Sequence, residues 1–178
     1  MTNSTAAPGR LLRLTLQIYR NQLESTEAER EKFAREYLTK AASMAAKHGI
    51  EKYQQVYTPP AFREALEEVS RRGKRGWVID DHDLTVEFYF RSFAAMGSIG
   101  ADPEWRALQA SEGPYVNLIH TVATFGWVEQ YVDAGKVIHI GEDGKSTYPS
   151  WAELGDVKSA FPAPAAAPAA ATAEGDAK

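Results

Sequence analysis

Of four predicted β-strands, the first and the third alternate apolar and polar residues with a period of two, which is typical of a half-buried strand. In the first segment the apolar positions are Leu12, Leu14, Leu16 and Ile18, and the intervening side chains are mostly polar. The third segment is the clearest, with four apolar residues on one face of the strand. The predicted strands span residues 10–19, 50–57, 82–90 and 121–132.

Helices are predicted between these strands. Thr26 and Glu29 have the spacing of a capping box, in which each side chain satisfies a free backbone N–H at the start of a helix. The apolar stripe of this helix ends before Gly49 and consists of Phe33, Tyr37, Ala41, Met44 and His48. A short helix is predicted over 60–72, and a helical stretch over 91–118 is broken near 100–103 and at Gly113-Pro114.

The order of these elements predicts an α+β fold of the ferredoxin-like β-α-β-β-α-β type. One face of its sheet packs under the helices, and we expect the other face to be polar and aromatic. An aromatic face of this size needs a cover, and a second copy of the same sheet would provide it, which predicts a homodimer. The residues predicted on that open face are Gln17, Tyr19, Tyr53, Gln55, Tyr57, Glu87, Tyr89, Trp127, Glu129 and Tyr131.

The length of 178 residues fits one domain, which we place at residues 10–142. Residues 1–9 are predicted to be a flexible N-terminus, and residues 143–160 a C-terminal extension. The rest, 161–178, is rich in Pro and Ala and is predicted to be disordered, because it offers too little apolar surface to offset its ordering entropy.

The composition of the chain argues against several classes of function. The formal net charge of −4 argues against a nucleic-acid partner, and the short basic run over 71–75 is better interpreted as a solvated turn. The chain has no cysteine, which excludes disulfides and thiolate chemistry. Neither a signal peptide nor an apolar run long enough for a membrane helix is present, so we expect an intracellular, cytoplasmic protein without a membrane partner.

The candidate acid–base residues are two histidines and a glutamate. His82 lies between Asp81 and Asp83, where two carboxylates favour a protonated imidazole and make it a candidate proton donor, although a solvated loop is an equal alternative. His120 lies in an apolar segment and is the histidine expected to face a pocket. Glu87, in the middle of a strand, is either a member of a cross-strand ion pair or a buried acid.

No metal or cofactor is predicted, because the histidines lack metal-ligand spacing and no phosphate-binding loop or dinucleotide fingerprint occurs. The row Tyr53, Gln55 and Tyr57 either donates hydrogen bonds to an aromatic or polyketone ligand or forms part of the dimer interface.

Four segments together resemble the EthD-domain proteins of fungal aromatic polyketide pathways. Asp81-His-Asp-Leu-Thr-Val-Glu-Phe88 is similar to a family block of the form Asp-Tyr-Asp-x-x-Val-Glu, and the others follow in the family's order. The chain departs from the family where Tyr57 and His82 replace a histidine and a tyrosine, and where 39–42 lacks the histidine of the first helix. The other similar segments are 47–59, 101–105 and 125–136.

The resemblance implies a dimeric α+β barrel and cofactor-independent chemistry. Several relatives decarboxylate anthrone-type acids, and others cyclise or oxidise polyketides. Carried over by position, the resemblance makes these residues candidates for lining or supporting the site: Tyr53, Gln55, Tyr57, Glu87 and Trp127.

Our leading hypothesis is therefore a polyketide-tailoring enzyme that decarboxylates an aromatic or β-keto acid. His82 or His120 would be the general acid, Glu87 a further catalytic group, and the Tyr53 row would donate hydrogen bonds to substrate oxygens. One alternative is a cyclase or pericyclase whose pocket is shaped by aromatic residues such as Phe88 and Trp127. Another is a barrel that binds an apolar metabolite without catalysis.

Overall fold

A computed structural model describes residues 11–20, 25–150 and 152 of the chain. Along the chain, six strands and four helices follow one another within these residues. They are β1 (Leu11–Arg20), α1 (Glu27–Lys47), β2 (Ile50–Tyr57), α2 (Pro60–Arg72), β3 (Leu84–Phe90), α3 (Phe93–Ala101), α4 (Pro103–Ala110), β4 (Val116–Val128), β5 (Val132–Asp133) and β6 (Lys136–Val137).

Four of the strands form one open antiparallel sheet in the order β2-β3-β1-β4. With the helices, this order is the ferredoxin-like fold, so the predicted α+β class is confirmed. We call the side of the sheet that faces α1, α3 and α4 the inner face, and the opposite side the outer face. A separate hairpin pairs β5 with β6 around Ala134 and Gly135, which both have positive φ and form its tight turn.

The start of α1 follows the sequence prediction. The Thr26 hydroxyl accepts a hydrogen bond from the Glu29 backbone N–H, and the Glu29 carboxylate accepts one from the Thr26 backbone N–H at 2.8 Å. These reciprocal bonds satisfy two of the N–H groups that a helix start leaves free. Ala41 and Ala45 lie fully buried on the stripe of α1 that packs on the sheet.

The core lies between the inner face and the helices. Phe90 is completely buried and pairs across the sheet with Leu12 on one side and Ile50 on the other. Phe93 and Ile99 of α3 pack against the same cluster. This packing fixes the position of the helical layer above one end of the sheet.

The predicted face of the β2 residues is wrong. Regular alternation would put Ile50 and Val56 on the same face and turn Tyr53 to the other. The register of β2 against β3 instead shifts between Ile50 and Lys52, which places one extra residue in β2. This β-bulge keeps Ile50 in the core yet turns Tyr53, Gln55 and Tyr57 to the inner face, leaving Val56 on the outer face.

Trp127 is also on the inner face rather than the predicted outer one, because it pairs with Leu12 of the core. The outer-face prediction holds for Glu87 and Tyr89, which pair with Thr15 and Arg13 of β1.

Several boundaries differ from the pattern-based ones. β4 starts at Val116, five residues before the predicted strand, because Val116 still pairs with Arg20 at the end of β1. The helical stretch does divide within the predicted break near 100–103, at Asp102, whose carboxylate caps α4 by accepting a hydrogen bond from the Glu104 N–H at 2.8 Å. Pro103 then occupies the first helical position, where it needs no hydrogen-bond acceptor.

The predicted flexible N-terminus and the Pro/Ala-rich tail lie outside the described residues. Among the residues that are described, no helix has the length and apolar character needed to cross a bilayer.

Candidate functional site

A cavity of about 620 Å³ lies between the inner face of the sheet and the helices α1, α3 and α4. Its floor is apolar and comes from alternating residues of β1 and β3, and its roof comes mainly from one side of α1. Phe88, predicted to shape a pocket, lies in the floor, where its ring packs against Tyr53 and Trp105. The other apolar residues of the wall include Leu14, Leu16, Ile18, Leu84, Val86, Phe33, Met96, Ile99 and Trp105.

One polar row crosses the floor on β2. The Tyr57 hydroxyl donates to Gln55 Oε1 at 2.8 Å, and Gln55 Nε2 donates to the Tyr53 hydroxyl oxygen at 2.9 Å. Tyr53 therefore accepts a bond within the row, which leaves its own O–H proton for an oxygen in the cavity. Burial raises the pKa of Tyr53 to about 12, so its phenol stays protonated at neutral pH.

Opposite this row, Tyr37 of α1 donates a hydrogen bond to Oε1 of Glu112, which follows α4. Both residues line the cavity. Burial raises the pKa of Glu112 above its ordinary value, and burial together with the Glu112 contact raises the pKa of Tyr37. A carboxyl group in an apolar wall with a raised pKa is suited to hold a proton and deliver it to a bound molecule.

The sequence gives no local signal for Glu112. It follows the last turn of α4 and precedes the Gly113-Pro114 break, where a glutamate is ordinary. Only its meeting with Tyr37, 75 residues earlier in the chain, marks it as part of a site.

Charged residues surround one end of the cavity. They come from the end of β1 and the first turns of α1, where Phe33 also stacks on Tyr115 with ring centroids 4.1 Å apart. The charged lining residues are Arg20, Glu27, Arg30, Glu31 and Arg35.

The three predicted catalytic residues lie elsewhere. His82 is buried, with its Nδ1 2.6 Å from Asp80 Oδ1 and its Nε2 2.8 Å from the hydroxyl of Thr85, which is on the outer face. His120 is exposed, and its ring contacts Tyr19 edge to face at 4.5 Å. Neither histidine lines the cavity. A catalytic role for His82 or His120 stays a prediction, and it would require a reaction outside this cavity.

Glu87 also lies on the outer face, where its carboxylate is 3.4 Å from the guanidinium of Arg13 and accepts a hydrogen bond from Tyr89 at 3.1 Å. The cross-strand ion pair, one of the two interpretations of this residue, therefore exists, although the carboxylate is buried as well. Four of the five predicted binding residues line the cavity, namely Tyr53, Gln55, Tyr57 and Phe88. The fifth, Trp127, does not line it.

Within the described part of the chain, no group of three or more His, Asp or Glu side chains is arranged to hold a metal ion. The polar groups that line the cavity are phenols, amides, carboxyl groups and guanidinium groups, which are suited to hydrogen bonding and proton transfer.

Comparison with known proteins identifies the family. The family model of the EthD domain matches residues 22–118, which is more than half of the chain. The chain therefore belongs to the EthD-domain family. A protein of Aspergillus terreus named "Putative oxygenase" is 40% identical over 145 residues, which are 82% of this chain and 91% of that protein.

Two further similarities are weaker. A protein of Emericella nidulans named "Decarboxylase" is 28% identical over 144 residues, 76% of this chain and 88% of that protein. Among solved structures, a dimeric ferredoxin-like protein of unknown function from Thermobifida fusca has a TM-score of 0.45 and 15% identity, covering 68% of this chain and 93% of its own.

Proposed function

We propose that this protein is a cofactor-independent tailoring enzyme of aromatic polyketide metabolism that decarboxylates an aromatic or β-keto acid in the inner cavity. The observation that carries the proposal is the Tyr37–Glu112 pair, a hydrogen-bonded carboxyl group in the cavity wall whose pKa is raised by burial. The name of the relative from Emericella nidulans, "Decarboxylase", supports the same class of reaction.

The reaction requires two groups. When the bond between the ring carbon and the carboxylate breaks, CO₂ leaves and the electron pair is delocalised onto the oxygen of a neighbouring carbonyl, which gives an enolate. The free O–H of Tyr53 donates to that oxygen and stabilises its negative charge. Glu112 then transfers its proton to the carbon, directly or through the Tyr37 hydroxyl, and regains a proton from water.

The apolar floor contributes by selecting a flat, hydrophobic substrate. A cavity of about 620 Å³ lies within the range of small-molecule sites, and its aromatic side chains favour stacking with fused rings. These properties are consistent with the polyketide class that the family resemblance implies.

The test is mass spectrometry of the purified protein incubated with a panel of aromatic polyketide acids, without added cofactor. We expect a loss of 44 Da for a substrate, faster than in buffer, and a decrease in turnover of roughly 10²–10⁴-fold in Glu112→Gln. A matched control is Glu64→Gln, an exposed residue of α2 remote from the cavity. Full turnover in Glu112→Gln would remove the acid from the mechanism.

A second candidate is oxygenation, favoured by the name of the relative from Aspergillus terreus. In that reaction an ionised Glu112 would remove a proton from an activated CH₂ group, and the resulting carbanion would react with O₂. The CH₂ becomes a carbonyl with release of water, so the product gains 14 Da and one O₂ is consumed. The same assay separates the two reactions, and an isomeric product of unchanged mass would indicate the cyclase alternative. Saturable binding without any product would indicate a binding protein.

We also propose that two copies associate through the outer face to form the dimeric barrel. The apolar side chains of Val56 and Val122 on this face remain 47% and 42% exposed in the single chain. Beside them lie hydrogen-bonding groups such as Gln17 and Gln54, which can pair across a two-fold axis. Covering this face would remove apolar surface that a single chain leaves in water.

A further inference from the structure

The charged end of the cavity contains an arginine with an unused hydrogen-bond donor. The side chain of Arg30 is only 13% exposed, and its Nε–H is shielded from solvent without a hydrogen-bond partner among the described residues. Its terminal nitrogens do bond, to Glu27 at 2.9 Å and to the backbone oxygen of Ser25. The same shielding keeps a ligand oxygen away from Nε, so an anion in the cavity would be held by the positive charge of the Arg30 guanidinium and by its terminal N–H groups.

The charges around Arg30 do not balance. Arg20 and Arg30 share a single carboxylate, since Arg20 Nη1 lies 2.8 Å from one oxygen of Glu27 and Arg30 Nη2 lies 2.9 Å from the other. The Arg30 hydrogen bond and the charge of Arg20 hold the pKa of Glu27 below its usual value, so the carboxylate stays ionised. Among the described residues, these two guanidinium groups and one carboxylate carry an excess of one positive charge, while Glu31 and Arg35 of the same lining balance each other.

The position of Arg30 relative to the proposed acid is set by α1. Arg30 and Tyr37 are seven residues apart, two helical turns, and therefore project from the same side of the helix into the cavity. A rise of about 1.5 Å per residue puts them roughly 10 Å apart along the axis. A fused-ring molecule spans such a distance, whereas a single-ring acid does not.

We propose that Arg20 and Arg30 form a subsite for a second anionic group of the substrate, which stays on the product. The inference rests on the proposed function and deepens it: the substrate class is a fused-ring aromatic acid with a further carboxylate or acidic phenol. The anion held here is not the one lost, because guanidinium groups stabilise a carboxylate and would slow its departure. The leaving carboxylate lies instead at the other end of the cavity, beside Glu112.

Binding of defined probes tests the subsite without any turnover. Isothermal titration would compare 9,10-anthraquinone-2-carboxylate with its neutral carboxamide, which has the same rings. We expect the wild-type protein to prefer the carboxylate, and Arg30→Gln to reduce that preference by roughly 10- to 100-fold, the effect of a charge-assisted hydrogen bond. Arg71→Gln is the matched control, because Arg71 also pairs with a glutamate but lies on α2, remote from the cavity.

A second variant separates recognition from folding. Glu27→Gln removes the carboxylate that competes for both guanidinium groups, so we expect it to bind the anionic probe more tightly than wild type does. Structural damage would only weaken binding. Weaker or unchanged carboxylate preference in Glu27→Gln, or no binding of the anionic probe at millimolar concentration, would overturn the subsite.

The subsite and the decarboxylase proposal fail on different measurements. Full turnover in Glu112→Gln would end that proposal and leave the measured carboxylate preference intact. Conversely, an unchanged preference in Arg30→Gln with impaired Glu112→Gln turnover would end the subsite alone.

Discussion

Tyr37 on α1 donates a hydrogen bond to Glu112, which lies beyond α4, and both side chains line the cavity. The bond links two elements that are distant in sequence and brings the proposed proton donor to the substrate-binding surface. The pair also gives the protein a measurable dependence on pH.

Because burial raises the pKa of Glu112, we expect the difference in stability between the wild-type protein and Glu112→Gln to depend on pH. Burial raises the pKa of Glu112 in the folded state, so the folded protein holds a proton that the unfolded chain loses near the ordinary value of 4.5. Wild-type stability from this group is therefore present at low pH and declines as the pH rises from there through the folded-state pKa. We expect Glu112→Gln to gain in melting temperature relative to wild type over this window, by roughly 2–4 °C per kcal/mol, measured by thermal unfolding from pH 4 to 8. A difference that does not change with pH would contradict the burial of the carboxyl group.

The direction of the pH–rate profile distinguishes the two candidate reactions. If Glu112 acts as an acid, kcat falls as the pH rises through its raised pKa; if it acts as a base, kcat rises over the same range. In either case, Glu112→Gln should remove this dependence of kcat on pH. If the variant and the wild type showed the same pH dependence of kcat, a group other than Glu112 would be responsible for it.

Tyr53→Phe should lower kcat and leave KM almost unchanged, because the phenol contributes most when negative charge develops on the substrate oxygen. Loss of one such donor typically costs roughly 10²–10³-fold in kcat. Tyr89→Phe is a matched control, since Tyr89 is a buried tyrosine on the outer face with its own hydrogen bond to Glu87. Equal effects of the two substitutions would indicate a structural role for the Tyr53 hydroxyl.

Substitution of the histidines tests the sequence-based prediction that His82 or His120 is the general acid. With Glu112 as the acid, His120→Ala should retain turnover within about threefold, because its exposed ring contacts Tyr19 and does not line the cavity. His82→Ala breaks the contacts to Asp80 and Thr85, so circular dichroism must first show that it is folded. A large loss of turnover in a folded histidine variant would move the chemistry to the outer face.

The proposed dimer predicts that a charge on the outer face causes dissociation. Val56→Glu should shift the protein from dimer to monomer in sedimentation velocity, because it would bury a carboxylate in an apolar interface. Val78→Glu is the control, since Val78 is 97% exposed in the segment before β3. A wild-type protein that sediments as a monomer at all concentrations would refute the dimer directly.

The sequence by itself determined the elements with local physical causes. The alternation in β1 and β3, the capping box of Thr26 and Glu29, and the proline at the start of α2 act between neighbouring residues, and the structure contains each of them. Their order determined the ferredoxin-like class, because few topologies accommodate it. The polar row of β2 was visible in the sequence as well, although its face was not.

Tertiary structure decided the rest. The bulge in β2 depends on fitting Ile50 into the core beside Phe90, which no period within β2 alone reveals, and it turns Tyr53 to the cavity. The pairing of Tyr37 with Glu112 joins residues that only the packing of α1 against the region around α4 brings together. A raised pKa depends on burial, and burial of a side chain after a helix end is a property of the packed layers rather than of its neighbours in the chain.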